Sequence, residues 1–404
     1  VTSGFRWLWS AYAISTYGTW LAFGAFPLIA VQVLHVSAFE VSLLEAAGLA
    51  VAALVAFPLG PWGERRAKRP VMVAMDLVRF FALVSLPIAH FAGLLTYGQL
   101  LIVSVVCGAA NIAFSAASGA YLKHLVPKDR LLAANGRFES TSWAATAAGP
   151  PLGGALIGLL GPVVTVLVDA VSYLLSAFAV RRIRGSDVAT TSTGRTDLLA
   201  GWRLIRRDHV LLRLFLNSVT VGGLIMATAP LMAVLLLGEY GFPAWQYGLA
   251  FGLPALGGLA GARLSARLVG RYGRQRVMAV SGWLRSVFPL GLAFVQPGVP
   301  GLVTVIVVEG LLITCMGVFN PIYATERLHR TPAGHATRVL STWSVATKLT
   351  QAALMVVWGV LATCTSPLAA ITISGVLLLG TPLLLPRHAK TSNPRNPSSP
   401  AVKA

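Results

Sequence analysis

Charge is scarce in this sequence. Of 404 residues, 11% are Asp, Glu, Lys or Arg, and only 13 are acidic, while 56% are hydrophobic. With a mean hydropathy of +0.74, so little polar surface cannot cover a water-soluble globule. Cysteine is equally sparse: Cys107, Cys315 and Cys364 form no CxxC pair and no Cys/His spacing suited to zinc. They lie in or beside apolar stretches and read as free thiols. None of the seven histidines forms a metal pair, and neither a GxxxxGKS/T phosphate loop nor a Gly-x-Ser-x-Gly elbow occurs. A nucleotide-driven pump would need another subunit, and no enzymatic role, metal or cofactor is expected.

Twelve long apolar runs fill the chain, near residues 8–34, 41–59, 71–92, 99–121, 134–160, 163–180, 210–237, 247–268, 277–296, 301–323, 339–363 and 367–385. Each is close to the ~20 residues that cross a hydrocarbon core as a helix. We call them the first to twelfth spans. The first has one early basic residue, Arg6, and outruns a signal-peptide core, so it reads as an uncleaved helix. The net charge of +19 would suggest nucleic acid in a soluble protein, but the cations sit in short bursts between spans. Alternate loops hold Arg65, Arg66, Lys68 and Arg69, then Lys123, Lys128 and Arg130, then the segment 181–207, then Arg267 to Arg276, then Arg327 and Arg330. The intervening loops carry no Lys or Arg at all. By the positive-inside rule both termini face the cytoplasm, and only an even number of spans keeps the alternation.

The central loop divides the spans six and six. Pro27-Leu28-Ile29-Ala30-Val31 in the first span matches Pro230-Leu231-Met232-Ala233-Val234 in the seventh, and Val71-Met72 after one basic loop matches Val277-Met278 after another. These repeats predict an all-α membrane protein of two pseudo-symmetric six-helix bundles, residues 1–183 and 209–386. Between them, 184–208 is a cytoplasmic linker in which Leu198, Trp202 and Ile205 fit either a short helix on the leaflet surface or an ordinary charged connection. Residues 387–404, rich in Ser, Pro and Asn, read as a disordered cytoplasmic tail.

Two motifs carry a resemblance. The first basic loop runs Gly60-Pro61-Trp62-Gly63-Glu64-Arg65-Arg66-Ala67-Lys68-Arg69, one acid among several bases after a tight turn. In the fifth span stands Gly149-Pro150-Pro151-Leu152-Gly153-Gly154, where glycines permit close helix approach and proline bends the helix. The loop resembles the signature of the major facilitator superfamily, with Glu64 in place of the usual Asp, and the second motif resembles its antiporter motif, with Ala145 where a preceding Gly is usual. Asp76 and Arg79, the stretch from Leu132 through Arg137 to Glu139, and Val168 to Tyr173 are similar to the branch that includes macrolide-efflux and enterobactin-type siderophore exporters. That branch often has an Asp after the Gly of the first span; here Thr19 follows Gly18.

The resemblance implies the major facilitator fold in a bacterial plasma membrane, with spans one, four, seven and ten around a central cavity. It implies a proton-driven antiporter exporting small amphipathic organic molecules such as antibiotics, with a small-molecule substrate, protons and the bilayer as partners; a monomer is expected. A cytoplasmic latch or gate is expected from Gly60, Glu64, Arg65, Arg66, Arg69, Asp76, Arg79, Arg137 and Glu139. Asp76 and Arg79, one turn apart, also fit a structural pair. Ionisable side chains at bilayer depth are costly and point to function, which makes Glu309 the leading proton-coupling candidate and Asp169 the second. The alternative for Glu309 is an ion pair with Lys348 or Arg285. Tyr12, Tyr17, Trp20, Phe23, Asn111, Phe114, Asn217, Met226, Phe319 and Asn320 are candidates for an aromatic cavity with a few polar anchors. An importer of a small nutrient, or a sensor that keeps the fold without transporting, are the other readings weighed.

Overall fold

A computed structural model describes residues 3–64, 67–127, 131–183, 198–331 and 336–385, and no strand occurs among them. The spans follow the apolar runs closely. The first runs Ser3–Leu21, breaks at Gly24, whose φ of 84° suits glycine, and continues through Ala25–Leu28 into a π-helical segment, Ile29–Val33. The others are Ala38–Glu64, Lys68–Phe91, Tyr97–Leu125, Leu131–Leu160, Pro162–Arg181, His209–Ala233 with a π-helical Val234–Glu239, Ala244–Gly252 with Pro254–Tyr272, Arg274–Val287, Val299–Arg330, Ala336–Cys364 and Pro367–Gly380. By length and apolarity, eleven segments among the described residues can cross a membrane. The second span, Ala38–Glu64, completes twelve long helices, although most of its side chains beyond residue 51 lie outside the described set.

Local chemistry sets the boundaries. Asp208 accepts from the backbone N–H of Val210 and Leu211 to start the seventh span, and Thr96 and Ser366 cap the fourth and twelfth. Gly161 and Gly273, with φ of 80° and 81°, turn the chain between successive spans. The linker forms a helix, Leu198–Arg207, with Ile205 fully buried and Trp202 edge-on to Phe215 at 5.4 Å. Its apolar stripe docks on the second bundle, against the seventh and eleventh spans, while Arg203, Arg206 and Arg207 stay exposed. The tail 387–404 and the linker residues 184–197 lie outside the described residues.

How the core divides reveals the conformation. Toward the ends joined by cation-free loops, one apolar cluster draws on both bundles: Leu28, Ile29, Leu44 and Val166 with Leu231, Leu236, Tyr247 and Val305. Toward the basic loops there are two separate clusters, one around Leu8, Met72 and Tyr121, the other around Leu214, Phe319 and Trp343. The halves are therefore sealed together at the cation-free end and part at the basic end. Contacts across the seal include the second span on the eleventh and on the seventh, the fifth on the eighth, and the two π-helical segments on each other.

Candidate functional site

Inside the first bundle a cavity of about 220 Å³ is lined by Tyr12, Ser15, Thr16 and Thr19 of the first span, Arg79 of the third, Asn111, Phe114, Ser115 and Ser118 of the fourth, and Phe138 of the fifth. Arg79 sits eleven residues into its span, about 16 Å from the basic end at 1.5 Å per residue, so its charge lies at bilayer depth. It is ion-paired with Asp76, itself wholly buried, and its Nη1 donates to Asn111 Oδ1 at 3.4 Å. The guanidinium also lies over two rings, 3.9 Å from the centre of Tyr173 and 4.9 Å from that of Phe114. Thr19 Oγ1 stands 2.7 Å from the Tyr173 hydroxyl and 3.3 Å from Asp169 Oδ1. Ser172 donates to the Asp169 carbonyl. A continuous polar chain thus joins Asp76, Arg79, Tyr173, Thr19 and Asp169, with Thr19 and Arg79 reaching the cavity.

A second cavity, of about 610 Å³, lies between the bundles. Trp20 and Phe23 of the first span and Trp143 and Thr146 of the fifth face Phe251, Ala255 and Gly258 of the eighth, and Ile313, Met316 and Asn320 of the tenth. Phe23 stacks on Tyr247 at 5.9 Å and meets Phe251 at 5.8 Å, an aromatic lid toward the sealed end. Glu309, half-buried, shares the helix face of Ile313, Met316 and Asn320, one turn nearer the sealed end. The ion pairs among the described residues are Asp76–Arg79, Arg274–Glu326, Arg330–Asp208 and Arg330–Glu326. Glu309 is thus paired with neither Lys348 nor Arg285. The latter donates to Asn217 Oδ1 and lies 3.6 Å above the Phe319 ring.

Of the ten cavity candidates, Tyr12, Asn111 and Phe114 line the first cavity and Trp20, Phe23 and Asn320 the second. The remaining four, Tyr17, Met226, Asn217 and Phe319, line neither. Tyr17 and Met226 are exposed elsewhere. Asn217 bridges Arg285 and the Thr381 carbonyl, and Phe319 is buried beneath Arg285. Helical periodicity names the span but leaves the face open, which is why these four were drawn in.

The latch candidates separate. Asp76 and Arg79 lie in the bundle interior rather than at the loop. Arg69 Nη2 donates to the Arg181 carbonyl at 3.3 Å, tying the loop to the sixth span. Arg137 is exposed, 5.9 Å from the Phe5 ring. Arg65 and Arg66, and the side chains of Gly60, Glu64 and Glu139, lie outside the described residues. At the matching place in the second bundle, Arg274 meets Glu326 at 3.5 Å, an acid supplied by the end of the tenth span.

The four motif residues of the fifth span are contact points. A Cβ at Gly149 would strike Trp20, and one at Gly153 the Leu21 backbone, both on the first span. A Cβ at Gly154 would strike the Ala244 carbonyl of the eighth span, and Gly248 meets the backbone of Pro150 and Pro151. This stretch wedges the fifth span between its own bundle and the other.

Sequence reasoning missed Thr19, Tyr173 and Trp143, whose type is unremarkable in a helix, and Arg285 as the counterpart of Arg79. The signal for the last was present. The spacing that relates Val71-Met72 to Val277-Met278 also relates Arg79 to Arg285, and Asp76 to Gly282. Both arginines sit over a phenylalanine, but only one has an acid among the described residues; the other relies on the neutral Asn217 and on a cation–π contact worth about 2 kcal/mol when desolvated.

The family described as Major Facilitator Superfamily matches residues 8–354. A curated relative, an uncharacterized MFS-type transporter, YvqJ, of Bacillus subtilis (strain 168), is 26% identical over 249 residues. The alignment covers 58% of this chain and spans 58% of the relative's length. Among solved structures, the nucleoside transporter NupG superposes with a TM-score of 0.74 at 11% identity, covering 95% of this chain and 98% of its own. A bacterial homologue of the iron transporter ferroportin, in an inward-facing state, gives 0.71 at 18%, covering 94% and 98%. At these identities the likeness is one of fold.

Proposed function

The chain belongs to the Major Facilitator Superfamily and is a multi-pass membrane transporter of that type, and from this premise we propose that it exports small amphipathic organic molecules in exchange for protons. The alternation of cation-rich and cation-free loops supports a basic end that faces the cytoplasm, which makes the conformation described above inward-open. The observation that carries the substrate class is the pairing of two unlike cavities. One is rich in hydroxyls and holds Arg79 and Asn111; the other is walled by Trp20, Phe23, Trp143 and Phe251. A molecule with a hydrogen-bonding end and a flat apolar body satisfies both, whereas a small polar nutrient leaves the aromatic wall unused.

Two carboxyls support coupling. Asp169 reaches the first cavity through Thr19, and Glu309 stands beside the second with no hydrogen bond or ion pair among the described residues. Taking up a proton removes the cost of holding an unpaired charge at bilayer depth, and opening to either side lets it exchange. Export as the direction rests on the resemblance of the Gly-Pro motif, whose Gly154 seats the fifth span on the eighth at the seal.

The test is accumulation of fluorescent and antibiotic compounds in efflux-deficient cells with and without the protein, before and after an uncoupler collapses the proton gradient. Lower accumulation that the uncoupler abolishes, and that Glu309→Gln or Asp169→Asn weakens at equal expression, is expected. Uptake in place of extrusion overturns the direction, and export indifferent to the uncoupler overturns the coupling.

A further inference from the structure

The outer surface of the second bundle carries a groove that neither transport cavity uses. It has a volume of about 450 Å³ and runs between the eighth, ninth and tenth spans, with Leu264, Leu268, Val280, Leu284 and Val318 along its walls. Its polar groups are already satisfied: Ser281 Oγ donates to the Val277 carbonyl at 2.6 Å and Thr314 Oγ1 to the Gly310 carbonyl at 2.6 Å. Apart from the Cys315 thiol, the floor therefore offers a guest hydrocarbon contact.

The mouth is different. Tyr272 and Arg276 belong both to this groove and to an adjoining depression of about 740 Å³ that adds Arg274 and Glu326. Arg276 is exposed and makes no ion pair among the described residues, and Arg271 lies 5.4 Å from the Tyr272 ring. Arg274 and Arg276 thus face one acid, and Glu326 is already shared between Arg274 and Arg330. From Arg276 to Leu284 is eight residues of helix, about 12 Å, which matches the depth of one leaflet's hydrocarbon, about half of 30 Å.

We propose that this groove is a binding site for one anionic glycerophospholipid of the leaflet at the basic end, its acyl chain lying along Val280 and Leu284 and its phosphate held by Arg276 with Arg274. Apolar walls of leaflet depth fit the chain, and a mouth with unneutralised guanidinium groups fits a headgroup carrying net negative charge. A zwitterionic headgroup would bring an ammonium against Arg274 and Arg276. The phosphate competes with Glu326 for Arg274, so occupancy also loosens the tie between the ninth and tenth spans at the basic end.

Native mass spectrometry of the detergent-purified full chain with added phosphatidylglycerol or phosphatidylcholine tests the site. Phosphatidylglycerol is retained preferentially; Arg276→Gln lowers its retention about fivefold, the effect of one basic residue at a lipid surface. Val280→Trp, which fills the groove and leaves every charge, lowers retention of both lipids, whereas Arg206→Gln on the exposed linker helix lowers neither. Equal losses from Arg206→Gln and Arg276→Gln, or full retention by Val280→Trp, overturn the proposal in favour of diffuse attraction to a basic surface. A second readout needs no variant. Cys315 lines the groove, and exposed Cys364 lies at the other end of the bundle. Phosphatidylglycerol is expected to slow alkylation of Cys315 relative to Cys364 more than phosphatidylcholine does, and equal protection by the two lipids counts against the site.

Discussion

Gly153 and Gly154 are neighbours in sequence, but only one of them is expected to bias the transport cycle. A methyl at Gly153 meets the Leu21 backbone, within the same bundle; a methyl at Gly154 meets the Ala244 carbonyl and Trp245 backbone of the other bundle, at the outer seal. Neither obstacle is a flexible side chain, so the helices must part, at the 1–3 kcal/mol typical of overpacking. When the bundles rock as units, the cost at Gly153 is paid in both conformations, whereas that at Gly154 exists only while the outer end is closed. Gly154→Ala should therefore shift the equilibrium toward the outward-open state by about 5- to 150-fold, and Gly153→Ala should lower stability without shifting it. The assay uses Val31→Cys, where the first and seventh spans meet near Gly238, with Cys107, Cys315 and Cys364 replaced by Ser. A membrane-impermeant maleimide added from the outside then labels residue 31 in proportion to the outward-open population. The same increase in labelling for both glycine variants would refute the division into rigid halves.

Asp76→Ala leaves Arg79 buried without its acid and should lower apparent stability by about 3–5 kcal/mol, against about 1–3 kcal/mol for Asn217→Ala, where Arg285 loses a neutral partner; thermal unfolding in detergent compares them, and equal losses would deny Asp76 its role as counter-ion. Thr19→Val cuts the link between Asp169 and the cavity, so it should impair the proposed gradient-driven export while substrate exchange between equal proton concentrations persists in liposomes. Arg274→Ala removes an ion pair whose arginine is 40% exposed and should change stability by less than about 1 kcal/mol in the same thermal assay.

Much of the architecture is written in one dimension. Apolar runs of bilayer length and the alternation of basic and cation-free loops are local properties, and the helices end within a few residues of the hydropathy boundaries. The site was legible only in part. Trp20 and Asn320 could be named as cavity residues because bulky aromatic and amide groups are unusual at depth. Phe319 and Asn217, of the same types, turn out to support Arg285 inside the bundle. Composition cannot tell a side chain that faces a cavity from one that faces a buried neighbour on the next helix, because both environments select the same residues.

The sequence by itself determined that this chain lives in a bilayer, how often it crosses, which ends of the spans are basic, and that two halves repeat. Each of these follows from the cost of moving charge or backbone polar groups into hydrocarbon, residue by residue. Only the tertiary structure decided that Arg79 is neutralised by Asp76 while its counterpart Arg285 has no acid among the described residues, that Gly153 packs within a bundle and Gly154 between bundles, and that the cation-free end is the one now closed. Those facts depend on which helix faces meet, and helix rotation is fixed by packing against partners that no stretch of sequence contains.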